Sequence, residues 1–262
     1  MERKIINLLS FHQSPLDQFI IREFFSIEGD LLSNVKISLT SIGLYLIITT
    51  FIIFIICLLA TNYNISTPNN WSLSQESIYS TVYSIVVNQI NMFKGQMFFP
   101  LIFALFVYIL VNNLVGMIPY SFATTSHLIL TFSISFALVI GATILGFQLH
   151  TFKFFSLFVP SGCPLALLPL LVLIEFISYL SRPISLGLRL AANILSGHML
   201  LNILSGFTYN IMSKGIFYLF IGLIPLAFII AFSGLEIGIA FIQAQVFVVL
   251  SSSYIKDSLE LH

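Results

Sequence analysis

The chain has 262 residues, 58% of them hydrophobic and only 8% charged, and its formal net charge is zero. Soluble domains are usually about a quarter charged, so this chain could not cover its own surface in water. With no basic field to attract nucleic acid and no acidic tail to solvate, the composition describes an integral membrane protein of several transmembrane helices.

Residues 1–36 are mixed and charged with no long apolar core, so the start is not a secretory signal. A helix needs about 20 apolar residues to cross the hydrocarbon core. Residues 37–60 meet this in one uncharged run, and 61–70 read as a polar loop. Residues 71–90 mix polar and apolar positions at helical spacing around Glu76, which predicts an interfacial amphipathic helix. A second span is expected over 97–117, closed by Pro119, and a third over 127–148. A loop around His150 and Lys153 then runs to Pro160, Gly162 and Pro164.

Two longer segments follow, 165–204 and 213–253. Each is helix-permissive for about 40 residues, or about 60 Å, against a hydrocarbon core of about 30 Å. Their only punctuation is Arg182-Pro183 and Pro225, and proline kinks a membrane helix without ending it. Two long, bent, tilted helices are therefore expected in place of four short ones. Lysines lie in loops on both sides, so charge bias sets no orientation. Cys57 and Cys163 sit in apolar surroundings without a CxxC pattern and read as small core hydrophobes.

Charges inside apolar segments are costly, about 2.5–3.5 kcal/mol each on insertion scales, and they mark interiors or water paths. Here Glu175, Arg182, Arg189, His198 and Glu236 all lie in such segments. Glu175, Ser178, Arg182, Ser185, Arg189, Asn193 and Ser196 advance by threes and fours. That keeps them within about 40° of Arg189 on a helical wheel, a narrow polar stripe. His198 falls on the opposite face with Gly187 and Ala191. On the next segment Glu236, Gln243 and Tyr254 align within about 20°, while Gly234, Gly238 and Gln245 occupy the reverse side, where the glycines suit close helix packing.

Arginine keeps its proton, so Arg189 supplies a fixed positive charge and cannot relay. Histidine and glutamate titrate near neutral pH when desolvated or paired, so His198 and Glu236 suit proton transfer. The plain alternative is mutual pairing, since Glu175, Arg182, Arg189 and Glu236 sum to zero charge. His12, His127, His150 and His262 lie at termini or span ends, where ordinary surface roles are expected. Phosphate-loop, nucleophile-elbow, zinc-helix and dinucleotide signatures are all absent, so no catalytic site, metal or cofactor is expected in this chain.

Ser185-Leu-Gly-Leu-Arg189-Leu-Ala-Ala-Asn193-Ile-Leu-Ser-Gly-His198 closely resembles the signature of subunit a (subunit 6) of F-type ATP synthases. Leu235-Glu236-Ile-Gly-Ile-Ala-Phe-Ile-Gln243-Ala-Gln245 resembles the family's second signature, in the same order. Ser14-Pro-Leu-Asp-Gln-Phe19 is similar to the mature start of fungal mitochondrial members, and the His198 with Glu236 combination resembles the mitochondrial branch. The resemblance implies an all-α polytopic protein of the mitochondrial inner membrane. Upright helices (37–60, 97–117 and 127–148) would stand beside a strongly tilted helical hairpin (165–204 and 213–253), following a removed leader (1–13) and an extramembrane segment (14–36). It implies a stator subunit of the Fo proton channel, with two offset half-channels serving the carboxylates of a c-subunit ring. Other implied partners are a peripheral stalk, small membrane subunits, dimerisation subunits and the lipid bilayer. Arg189 would face the ring, with Asn193 and Gln243 as its polar neighbours; His198 and Glu236 would line the intermembrane-space path. Glu175 and Asp257 would belong to the matrix-side path, with Arg182, Ser185 and Ser196 supporting the stripe. The alternatives are a stator or self-sufficient channel of another ion-driven system, and a purely structural scaffold.

Overall fold

The computed structural model describes residues 16–28, 36–61, 69–90, 92–118, 121–159 and 167–260. The expected leader, Cys163, Pro119 and the prolines near 160 lie outside them, as do His12 and His262.

After a 3-10 turn at Asp17–Phe19 comes a small antiparallel hairpin, β1 (Glu23–Glu28) paired with β2 (Lys36–Thr40), with an irregularity between Glu23 and Phe25. This corrects the start of the first span, since 37–40 are strand. The stretch Lys36-Ile-Ser-Leu-Thr40 alternates polar and apolar residues, the period of a strand. Thr40 then caps α1 (Ser41–Ala60), its hydroxyl accepting from the Gly43 N–H at 3.5 Å.

The remaining helices are α2 (Asn70–Ile90), α3 (Met92–Gly116), α4 (Leu128–His150), α5 (Leu168–Met212) and α6 (Ile216–Leu259). Short 3-10 turns cover Thr124–Ser126 and Thr151–Phe158. The second replaces much of the loop expected around His150 and Lys153, because Phe147, Phe154, Phe155 and Phe158 pack on one another and hold it down. Five of the six described helices are long and apolar enough to cross a membrane, and α2 is not among them.

The two long helices have 45 and 44 residues and run unbroken through Pro183 and Pro225. Each proline removes a donor and frees the carbonyl four residues back, at Tyr179 and Ile221, yet the apolar run on both sides favours continuing the helix. At 1.5 Å per residue each is about 66 Å long, about twice the hydrocarbon thickness, so neither can stand upright across a bilayer. They reverse direction at Ser213–Gly215, where Gly215 has φ 149°, a conformation that side chains disfavour.

α5 and α6 pack along each other, α4 packs on α5, and α2 and α3 pack on α6. The core lies beside the C-terminal half of α6. Val82, Val86 and Ile90 of α2 and Phe106 of α3 meet Ala244, Phe247 and Val248 there, with Leu186 and Leu190 of α5 behind. α2 thus buries Val82, Val86 and Ile90, spaced four apart, the stripe that its polar remainder leaves available. Gly187 lets α4 approach α5, since a Cβ there would stand 2.9 Å from the Phe132 ring and 3.0 Å from Ser135 Oγ.

Candidate functional site

Three polar contacts cross between α5 and α6, stepping in opposite directions along the two helices. His198 Nε2 lies 3.8 Å from Glu236 Oε1. Asn193 Nδ2 donates to Gln243 Oε1 at 2.9 Å. Arg182 Nη1 donates to Asp257 Oδ2 at 2.8 Å, and Arg182 Nη2 lies 3.6 Å from Glu175 Oε1. The antiparallel register of the hairpin produces this ladder. One turn along α5 is matched by one turn back along α6.

The first contact is the most secluded. Glu236 is buried and His198 nearly so, and neither His198 Nε2 nor either Glu236 oxygen has a hydrogen-bond partner among the described residues. Gly197 makes the room, because a Cβ there would sit 2.6 Å from Glu236 Oε1. The third contact is a cluster. The Arg182 guanidinium stands 5.6 Å from the Tyr179 ring centroid and 5.8 Å from that of Tyr254, with its two acids beside it. Tyr254 therefore serves the Arg182 end, although it shares a wheel position with Glu236.

Arg189 lies between the second and third contacts, whose register sets it level with Val248 of α6. It is exposed, and no ion pair to it occurs among the described residues. Ser178, Ser185, Asn193 and Ser196 are exposed on the same stripe, while Leu186, Leu190, Ala191 and Ile194 on the other face are buried. The polar stripe is thus an open side of the chain, except where Glu175 and Arg182 fold against Asp257. Along α5, His198 and Arg182 are separated by 16 residues, about 24 Å, with the unpaired cation between them.

Other expectations need correction. At Gly234 and Gly238 an added Cβ would meet nothing within 4 Å, so this pair packs against no described helix. Cys57 is exposed on α1, whose outer side meets no other described element. The His127 ring stacks on Phe122 with centroids 5.0 Å apart and its Nε2 is buried, so it is not an ordinary surface histidine. Asn112, Asn113, Thr124 and Thr125 are buried as well, a polar group outside the two long helices. The signal was available, since Asn112-Asn113 interrupts an otherwise apolar span.

A polytopic α-helical membrane protein with titratable groups buried between two long antiparallel helices is a class built to carry ions or to hold subunits together. The comparison with known proteins then narrows it. Residues 43–256 match the ATP synthase A chain family. ATP synthase subunit a of Penicillium chrysogenum is 74% identical over 97% of this chain and 99% of the relative. That of Emericella nidulans is 70% identical over 97% and 98%. That of Saccharomyces cerevisiae is 45% identical over 98% and 100%. The chain belongs to the ATP synthase subunit a family. With its five apolar helices and fungal mitochondrial relatives, it is a multi-pass protein of the mitochondrial inner membrane.

Proposed function

We propose that this chain is the stator of the Fo proton channel, forming two offset half-channels that load and unload the carboxylates of a rotating c-subunit ring. Family membership supports the general role in proton transport and ATP synthesis alongside other ATP synthase subunits. The observation that carries the finer reading is the separation of two titratable clusters by a cation without an acid partner among the described residues.

A proton reaches Glu236 by way of His198, whose imidazole takes it on one nitrogen and releases it from the other. It passes to a ring carboxylate, which becomes neutral and can turn into lipid. After a revolution that carboxyl meets the second path, beside Glu175, Arg182 and Asp257, and gives up its proton there. Arg189 does not titrate. It attracts the freshly ionised carboxylate and repels a proton that would cross straight between the paths. The Asn193–Gln243 bond holds a polar shelf beside the guanidinium. Each proton crossing 100 mV releases about 2.3 kcal/mol, so several must pass for each ATP.

Replacement of the cation tests this. Arg189→Ala in the whole complex is expected to abolish proton-driven ATP synthesis while the complex still assembles to its ordinary amount on native gels. Loss of assembly with the remaining complexes fully active would make the chain a scaffold instead.

A further inference from the structure

Where α2 meets the start of α3, three aromatic rings wall a cavity of about 180 Å3 that has no part in the contacts between α5 and α6. Tyr79 and Tyr83 stand one turn apart on α2, their planes parallel within 8° and their centroids 6.1 Å apart. Phe99 of α3 stands across both, 4.8 Å from the Tyr79 ring at 62° and 6.1 Å from the Tyr83 ring at 68°. Phe103 stacks on Phe99 at 5.9 Å and backs this wall. Val86 and Gly95 bring the two helices together at the cavity, since a Cβ at Gly95 would sit 2.9 Å from Val86 Cγ1. Gln96 is exposed and lines the cavity with an amide. Glu76 lies one turn before Tyr79 on the same side of α2, exposed and without an ion pair among the described residues.

Depth, size and chemistry together select an occupant. The apolar span of α3 begins at Gly95 and α2 is not a span, so the cavity lies where hydrocarbon gives way to lipid headgroups. A helix is about 10–12 Å across, too wide for a hole of this volume, whereas one small group fits. Aromatic ring faces are negative and attract a cation within about 6 Å, and a quaternary ammonium, which cannot hydrogen-bond, gains most from such walls. The Glu76 carboxylate adds a full negative charge, while the tyrosine hydroxyls and the Gln96 amide can donate to phosphate oxygens. We propose that this cavity binds the headgroup of a phosphatidylcholine from the surrounding leaflet. Its trimethylammonium lies against Tyr79, Tyr83 and Phe99, and its phosphate lies beside Gln96. The bound lipid ties α2 to the membrane surface at the point where α3 enters it.

The test uses the intact complex in vesicles of equal parts phosphatidylcholine, phosphatidylethanolamine and phosphatidylglycerol. A trace of the phosphatidylcholine carries a photoreactive diazirine on its acyl chain next to the glycerol, and labelled peptides are located by mass spectrometry. Label is expected on residues 76–99, and extra unlabelled phosphatidylcholine should displace it at least about fivefold better than either other lipid. Tyr83→Ala should lower labelling there by at least about fivefold at ordinary assembly, whereas Tyr83→Phe, which keeps the ring face, should retain it. Glu76→Lys should make phosphatidylglycerol the better competitor. Equal displacement by all three lipids in the unaltered complex overturns the proposal, and so does absence of label from 76–99, which would show that a neighbouring subunit covers the groove. Neither result requires a variant to assemble. Full labelling of assembled Tyr83→Ala overturns it as well.

Discussion

Gly197 is the residue on which the His198–Glu236 contact depends, because the carboxylate occupies the space a methyl group would need. With Glu236 Oε1 2.6 Å from the built Cβ, Gly197→Ala must push the glutamate away from its place beside His198. Overpacking of this kind costs about 1–3 kcal/mol, which a large assembly tolerates. The expected result is a complex that assembles yet pumps protons several-fold more slowly, read as ATP-driven acidification against the amount of assembled enzyme. A rate equal to that of the unaltered protein would show that the glutamate's position is unimportant. The contrast with Gly234 and Gly238 is instructive, since alanine there meets nothing within this chain. Any penalty at those two positions would have to come from another subunit.

At the scale of elements, α5 is held at one end by charge and at its middle by close approach. Arg182 joins its own helix to the end of α6 through Asp257 and to the preceding turns through Glu175. These side chains are about a third exposed, so each ion pair adds well under about 1 kcal/mol. Arg182→Ala should therefore leave assembly intact, speed amide exchange in the last turns of α6, and lower ATP synthesis less than Arg189→Ala does. The α4–α5 contact at Gly187 is less forgiving. Gly187→Val would drive two methyl groups into the Phe132 ring and backbone, 2.9 and 3.3 Å from the first added atom. A loss of at least about 1–3 kcal/mol is expected, visible as a lower melting temperature and poorer incorporation into the complex. Unchanged stability would mean that the two helices can separate freely.

For the whole molecule, the distribution of exposed apolar side chains matters most. Ile, Leu and Phe stand exposed along α1, α4, α5 and α6, and only a small share of each of these four helices is buried within the chain, whereas α3 is far more enclosed. Neither polar cluster crosses the membrane alone. About 24 Å of helix and a guanidinium with no acid partner among the described residues separate them, so on the proposed reading a proton needs a second component to cross. The purified chain in liposomes is accordingly expected to show no proton flux above that of the empty lipid, while the intact complex conducts. Appreciable flux from the isolated chain would mark it as a self-sufficient channel.

Much of this organisation could be read from residue order, because one-dimensional periodicity survives folding when an entire segment is a single helix. Composition alone required a membrane, and segment length required helices too long to stand upright. Helical spacing placed Glu175 through Ser196 on one side of α5 and His198 on the other. The two signatures named the family. Contacts across the hairpin depend on register and loop geometry, which carry no local signal. Only the tertiary structure decided that Asp257 meets Arg182, 75 residues away, that Gly197 is bare because Glu236 fills the space beside it, and that Arg189 has no acid partner among the described residues. It also turned four residues of an expected span into a strand, since pairing with β1 satisfies backbone groups that helix propensity alone would have assigned inward.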